Sequence, residues 1–533
     1  MAEADLLDPV GSPRVPRRLR VGILDLVESR PRPGLYGRLM NANLASIMPQ
    51  AVAVWCEQAG HAVHFVCYTG YEDLLAEFPD DLDVLFIGAF TNAAHLAYAF
   101  SALFRARGAI TILGGPHARC YPQDAQRYFD YVLGFTDQAV IGEVLAECEV
   151  HRPLGRCISA TKHPRELPLL EERWKYVEAN LKKAPWIKIV PMIGSLGCPY
   201  TCSFCIDSTV DYQPMDFGRL REDLRFLVRK VKRPIVGWHD PNFGVRFDDY
   251  MEAIEESVPA GRMRHVAESS LSLLSEPHLR RLKQNGFQAI LPGIESWYEL
   301  GNKAKTSKQG LEKVEQVAEH VNLLLRYIPY VQTNFVLGMD CDRGFEPFEL
   351  SMRFLDRAPG AFPAYSLLSA FGCAAPINAE YARAGRILPF PFGVLDNNQA
   401  MNVRPRNYTW REFYDGVVAL TRYSFSWKAI ARRCAANKRW IPRVMNFVRA
   451  ISSEGFGRLR YHTRIRGMLD TDPTLLPFLE GETTVVPSFY VQRILASLGP
   501  VARYLPEGGL EHDPRACFPA AQPALSAALG GAL

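Results

Sequence analysis

The first 150 residues alternate between two patterns of hydrophobic and polar positions. Short apolar runs rich in Val, Ile and Leu occupy 18–27, 62–70, 83–91 and 109–118, and such runs are typical of buried strands. Segments with the apolar spacing of a helix lie between these runs, and the one at 43–61 ends near Gly60. Strands that alternate with helices through short loops predict a parallel sheet with helices on both faces.

A second series of strand-like runs follows at 187–197, 233–243, 264–272, 289–297, 330–340 and from 363 onward, with helical patterns between them. In such folds the carboxyl ends of the strands share one edge, where ligands bind. Beyond residue 400 only helical patterns remain, and Thr409 is a candidate N-cap. We therefore expect a flexible tail at 1–17, an α/β domain at 18–150, a linker at 151–185, a second α/β domain at 186–395 and a helical region at 396–533.

Composition and charge exclude several classes of protein. The chain has 533 residues, 48% of them hydrophobic, and a net charge of only +4, which does not indicate a nucleic-acid partner. It has no apolar run of the ~18 residues that span a bilayer, and its N-terminus lacks the apolar core of a signal peptide. We expect a cytoplasmic protein without a membrane partner, whose twelve cysteines stay reduced.

A basic stretch lies in the helical region between residues 428 and 443. It could bind an acidic or phosphorylated substrate, although a solvated helix face is the alternative that we favour. Its members are Lys428, Arg432, Arg433, Lys438, Arg439 and Arg443.

Three cysteines, Cys198, Cys202 and Cys205, form the motif C-x3-C-x2-C directly after a predicted strand. Thiolates bind soft metals and iron–sulfur clusters. A structural zinc site takes four protein ligands, commonly as two pairs, but no second pair follows, and His239 is 34 residues further on. A cubane cluster held by three thiolates leaves one iron open to chelate a substrate or cofactor. A zinc knuckle is the alternative.

This motif, with the aromatic Phe204 before the last cysteine, resembles the signature of the radical S-adenosylmethionine (AdoMet) superfamily. The resemblance implies a [4Fe-4S] cluster, AdoMet at the open iron, a partial (β/α)6 barrel and reductive cleavage to a 5′-deoxyadenosyl radical. It also implies AdoMet contacts: Phe204 and Gly338 near the adenine, Asp240 and Asn242 accepting from the methionyl amine, Glu268 at the ribose, and Glu295 with Ser296 at the ribose or carboxylate. Each carboxylate could instead cap a helix or pair with Arg or Lys.

Residues 18–150 resemble the Rossmann-like cobalamin-binding domain that precedes many such barrels, mainly through the turn GGPH at 114–117. The resemblance implies cobalamin neighbours at Thr91, Gly114, Gly115 and His117. The cobalt-ligating motif D-x-H-x-x-G is missing, because no His follows Asp25 two residues later. A Rossmann-like domain without a ligand is the alternative.

Together these resemblances imply a cobalamin-dependent radical AdoMet enzyme that methylates an unactivated carbon of a small molecule and takes electrons from a flavodoxin or ferredoxin. Radical cyclisation, ring contraction or oxidation without methyl transfer is the second hypothesis. A methylthiotransferase would need an auxiliary cluster, but the other nine cysteines are not clustered. A non-catalytic cofactor sensor is the hypothesis from another class, although the sequence shows no output module.

Overall fold

The computed structural model describes residues 17–32, 34–148, 152–298 and 308–518, so the predicted tail before residue 17 and the last fifteen residues lie outside it. The strands are β1 (Arg20–Leu26), β2 (Ala62–Tyr68), β3 (Val84–Ala89), β4 (Ile110–Gly114), β5 (Tyr131–Leu133), β6 (Arg156–Ile158), β7 (Ile189–Met192), β8 (Ser195–Leu196), β9 (Gln213–Pro214), β10 (Ile235–Trp238), β11 (Arg264–Glu268), β12 (Phe287–Leu291), β13 (Gly293–Glu295), β14 (Tyr330–Leu337) and β15 (Phe362–Leu367).

The helices are α1 (Leu35–Met40), α2 (Ile47–Gln58), α3 (Leu74–Glu77), α4 (Ala94–Ala106), α5 (Pro116–Cys120), α6 (Pro122–Ala125), α7 (Gln138–Cys148), α8 (Leu170–Lys183), α9 (Phe217–Lys230), α10 (Phe247–Ser257), α11 (Glu276–Gln284), α12 (Gly310–Tyr327), α13 (Glu346–Arg357), α14 (Pro376–Arg383), α15 (Trp410–Ser424), α16 (Trp427–Ala436), α17 (Trp440–Ile451), α18 (Arg458–Thr471), α19 (Leu475–Glu480) and α20 (Ser488–Leu498). No described helix is both long enough and apolar enough to cross a membrane.

The N-terminal sheet is parallel, with the strand order β2-β1-β3-β4-β5-β6. The order reverses between β1 and β3, so the loops after these two strands diverge and leave a crevice at the carboxyl edge. Strand β6 lies inside the segment predicted as a linker, because three residues are too few to show a strand period.

The second sheet is also parallel and runs β7-β10-β11-β12-β14-β15, with β13 pairing beside β12 on β14. Strands β12 and β13 correspond to one predicted strand, which Pro292 interrupts because proline has no N–H for the ladder. When β12 and β13 are counted as one strand, the sheet has six strands, with β7 and β15 at its two edges. This arrangement confirms the predicted partial (β/α)6 barrel.

The C-terminal region is helical, as predicted. Helix α15 begins after Thr409, whose hydroxyl accepts from the backbone N–H of Glu412 at 3.2 Å, while the Glu412 carboxylate accepts from the N–H of Thr409 at 2.8 Å. One continuous hydrophobic core joins the barrel, these helices and one face of the N-terminal sheet, and a second core lies under the opposite face of that sheet. The two sheets are therefore held in one packed body.

Candidate functional site

The cysteine loop, residues 197–212, projects from the carboxyl end of β7. The short antiparallel strands β8 and β9 pair at its two ends. Within the loop, the N–H of Cys205 donates to Cys202 O at 3.0 Å, and the N–H of Cys198 donates to Val210 O at 3.4 Å. Gly197 has φ +70°, and a Cβ there would lie 2.3 Å from the carbonyl oxygen of Asp211. The start of the cysteine loop therefore requires glycine at this position.

Cys198 and Cys202 are 7% and 8% exposed, and Cys205 is half-buried. Three thiols in one shielded loop are a donor set that suits an iron–sulfur cluster. Among the described residues no three His, Cys, Asp or Glu side chains converge on a single ion.

Asp240, which follows β10, anchors the start of this loop. Its carboxylate accepts from the N–H of Gly194 at 3.1 and 3.2 Å, from the Ser195 hydroxyl at 2.7 Å and from the Tyr250 hydroxyl. Burial raises the pKa of Asp240 to about 6 against these favourable hydrogen bonds. The structure thus places Asp240 on the loop backbone, and its contact with the AdoMet amine stays a prediction.

Asn242 lies two residues further and is 3% exposed. Its Oδ1 accepts from the N–H of Ser270 at 2.9 Å, whereas its Nδ2 is buried without a hydrogen-bond partner in the described chain. The available group is therefore a donor, and the contact of Asn242 with the methionyl amine stays a prediction. A buried donor without a partner calls for an explanation, and a bound ligand is one.

Glu295, at the end of β13, has φ +65° and is the one non-glycine residue with positive φ among the described residues. Such backbone strain costs about 1–3 kcal/mol and clusters at ligand sites. A Cβ on Gly293 would lie 2.2 Å from Glu295 Oε1, so the glutamate folds back over the strand end. Glu268 ends the neighbouring β11 and is exposed. Both carboxylates lie at the predicted edge, and their ribose contacts stay predictions.

Ser296 and Gly338, at the ends of β13 and β14, are joined by Asp342, which the sequence analysis did not single out. The Asp342 carboxylate accepts from the Ser296 hydroxyl at 3.1 Å and from the N–H of Gly338 at 3.2 Å. A Cβ on Gly338 would lie 2.8 Å from Met401 Sδ, so glycine there is required by protein packing. The predicted approach of Gly338 to the adenine remains untested.

The segment after the barrel is tied to the same edge. Arg386 forms a bidentate pair with Asp340 at 2.6 and 2.7 Å, just beyond β14. The N–H of Ile377, in α14, donates to Ser203 O at 3.0 Å, next to the half-buried Phe204. The cysteine loop is therefore supported on its outer side by α14.

The crevice at the edge of the N-terminal sheet has features that suit a large cofactor. A Cβ on Gly114 would meet no atom within 4 Å. Gly115 has φ +91°, and a Cβ there would lie 3.0 Å from the carbonyl oxygen of Ala89. Phe90, directly after β3, is 48% exposed, and Thr91 beside it is buried. An open, partly apolar edge at the topological switch point is where this class of sheet binds ligands.

His117 lies behind this edge. Its Nε2 is 2.7 Å from the Tyr98 hydroxyl, its ring packs on Phe392 with centroids 4.7 Å apart, and it is fully buried. Burial lowers the pKa of His117 to about 3, so the imidazole is neutral. His95, which accepts from the N–H of Gly393 at 3.2 Å, is buried beside it. A cofactor contact of His117 stays a prediction.

The two carboxyl edges meet at helix α5. Arg119 Nη2 donates to Ile206 O at 3.4 Å, and its Nη1 lies 3.8 Å from the Asp207 carboxylate, next to Cys205. The Tyr121 hydroxyl donates to Ala370 O at 3.2 Å. The crevice after β4 therefore borders the cysteine loop directly.

Arginines line the barrel mouth, where residues 396–399 cover the end of β15. Arg30, from the loop after β1, donates to Gln399 Oε1 at 3.2 Å, and Arg493 of α20 donates to the same oxygen. Burial, and after it the proximity of Arg493, lowers the pKa of Arg30, and Asp396 opposes this effect. The mouth is thus a junction of the loop after β1, the segment after β15 and helix α20.

Comparison with known proteins agrees with this geometry. Residues 192–340 match the model of the radical SAM superfamily. The bacteriochlorophyllide d C-12(1)-methyltransferase of Chlorobaculum tepidum is 22% identical over 360 residues, which cover 66% of this chain and 76% of that protein. The C-8(2)-methyltransferase of the same organism is 21% identical over 387 residues, covering 70% and 84%.

Two solved structures share the fold. The cobalamin-dependent AdoMet radical enzyme OxsB aligns with a TM-score of 0.54 at 12% identity, covering 91% of this chain and 84% of OxsB. The radical AdoMet methyltransferase TsrM from Kitasatospora setae, solved with cobalamin and a [4Fe-4S] cluster, aligns with a TM-score of 0.50 at 13% identity, covering 69% and 75%.

The chain therefore contains a radical SAM domain, built around the loop of Cys198, Cys202 and Cys205. More particularly, it shares the fold of the cobalamin-binding radical AdoMet enzymes OxsB and TsrM.

Proposed function

We propose that this protein is a cobalamin-dependent radical AdoMet enzyme that methylates a small molecule. The observation that carries the proposal is the junction at α5, where Arg119 spans from the crevice of the N-terminal sheet to Ile206 and Asp207 of the cysteine loop. A cofactor in the crevice and a cluster in the loop would then lie next to each other. The two relatives named as methyltransferases support methyl transfer as the reaction.

When bound, the cluster and the cobalamin supply the electron for AdoMet cleavage and the methyl group. Cys198, Cys202 and Cys205 would hold the cluster, and Asp240 keeps the start of their loop in place through Gly194 and Ser195. Asn242 Nδ2 would donate to the AdoMet carboxylate, since it is a buried donor without a partner in the described chain.

Gly114 leaves room at the crevice for the corrin, and Phe90 offers an exposed apolar ring beside it. Cobalamin would bind without a histidine ligand from the D-x-H-x-x-G motif. We propose a reduced flavodoxin or ferredoxin as the electron donor. We also propose a cytoplasmic location, where the twelve cysteines would stay as free thiols. The arginines at the mouth favour a substrate with an anionic group.

Two products of AdoMet test the proposal. The chain is reconstituted anaerobically with iron, sulfide and hydroxocobalamin, reduced, and given AdoMet with candidate acidic acceptors. About four irons and one cobalamin per chain are expected, with both S-adenosylhomocysteine and 5′-deoxyadenosine formed. 5′-Deoxyadenosine without S-adenosylhomocysteine would favour radical chemistry without methyl transfer. Bound zinc without iron would refute the assignment of the cysteine loop.

A further inference from the structure

Helix α17 presents an apolar stripe to solvent. Five of its side chains are exposed by 40–72%, and at spacings of one, three and four residues they lie along one face of the helix. They are Trp440, Ile441, Val444, Phe447 and Ile451. Trp427, at the start of α16, is 64% exposed and extends the surface. We call these six residues the apolar stripe.

The segment that carries the stripe is predominantly basic. Residues 416–453 contain eight Lys or Arg and no Asp or Glu. Two of these basic side chains are buried and have partners within the protein: Arg433 donates to Ala361 O, and Arg449 pairs with Glu454. Arg432 pairs with Asp356 on α13. In the part of the chain that the structure describes, Lys438 and Arg439 pair with no carboxylate, and both are exposed beside Trp440.

The stripe lies far from the cysteine loop. Asn437 Nδ2 donates to Gly360 O at 3.1 Å, just before β15, and Arg449 donates to the hydroxyl of Tyr330, the first residue of β14. These residues mark the amino ends of the strands, whereas the cysteine loop follows a carboxyl end. Strand β14 has eight residues and is about 25 Å long, so an electron donor docked here would be remote from the cluster.

We propose that α16 and α17 form a docking surface for an anionic lipid bilayer. Tryptophan and aliphatic side chains enter the headgroup boundary, and flanking Lys and Arg attract acidic headgroups while their stems cover apolar surface. A second copy of the chain is a poorer occupant, because a face-to-face dimer would bring two rims of like charge together. The surface differs from a membrane span, since the helix lies in the interface.

Vesicle flotation with the reconstituted full-length protein tests this inference. Wild-type protein should float with vesicles of phosphatidylcholine and phosphatidylglycerol but not with phosphatidylcholine alone, and high salt should release it. Trp440→Ser should lower the bound fraction by about tenfold. Trp186→Ser is the matched control, because Trp186 is 70% exposed and lies outside the stripe.

Charge reversal of Lys438 and Arg439 to Glu should abolish flotation, and the same reversal of Lys232 and Arg233 should not. The control pair is an equally exposed Lys-Arg dipeptide on another face. Light scattering is run on every variant. No flotation of the wild type, equal effects of test and control variants, or a dimer that Trp440→Ser dissociates would each overturn the proposal, the last in favour of a self-association surface.

Discussion

Replacing Asp240 with Asn tests whether its carboxylate positions the cysteine loop. The substitution keeps the shape of the side chain but turns one oxygen into an NH2 group, which faces the donors Gly194 N–H, Ser195 hydroxyl and Tyr250 hydroxyl. A buried donor left without an acceptor costs about 1–3 kcal/mol. The loop should therefore lose its anchor even where the domain stays folded.

The free energy of unfolding of D240N relative to the wild type should rise with pH, while the cysteine loop stays less well anchored. Burial raises the pKa of Asp240 from 3.8 to about 6 in the fold. The protonated carboxyl group stabilises the fold fully below about pH 4, and this stabilisation is lost as the pH rises through about 6. At ~1.36 kcal/mol per pKa unit, the free energy of unfolding that is lost is about 3 kcal/mol. Asn does not titrate, so between about pH 4 and pH 7 the free energy of unfolding of D240N should improve by that amount relative to the wild type.

Asp223 provides the matched control. Burial also raises its pKa to about 6, but it accepts from the N–H of Leu170 at 2.7 Å and so anchors α8 instead of the cysteine loop. Urea unfolding of both variants at two pH values reports stability, and iron content with AdoMet affinity reports the loop. D240N should bind less iron and AdoMet than D223N. Equal iron and AdoMet binding by the two variants would refute the positioning role of Asp240.

Three further predictions concern the cofactor sites and one thiol. Cys202→Ser should abolish iron binding after reconstitution, measured by metal analysis, whereas Cys157→Ser should retain it. Gly114→Ala should weaken cobalamin binding with an unchanged melting temperature, because its Cβ meets no protein atom within 4 Å, and Gly142→Ala, equally open on α7, should bind normally. A hydrogen bond from a neighbouring thiol lowers the pKa of Cys373 to about 7, so iodoacetamide should label it faster at neutral pH than Cys157, whose pKa burial raises. Equal labelling rates would contradict the last expectation.

The sequence predicted the fold class and the position of the cysteine loop because both depend on local patterns. Apolar runs of strand length and a three-thiol motif are readable without tertiary contacts. The anchor Tyr250 and the bridge Asp342 were missed, because each acts through a partner on another strand or helix. Asn242 was identified, but only the fold shows that the N–H of Ser270 occupies its oxygen.

One of the contacts between the two sheets requires a glycine. Gly372, in the segment after β15, has φ +53°, and a Cβ there would lie 1.8 Å from the carbonyl oxygen of Cys120 in α5. That oxygen also accepts from the N–H of Cys373 at 3.3 Å. Because α5 follows Gly115 at the cofactor crevice and reaches the cysteine loop through Arg119, any side chain at 372 would push the two edges apart. The spacing of these two edges is thus set by backbone packing, which a pattern of hydrophobic and polar residues does not encode.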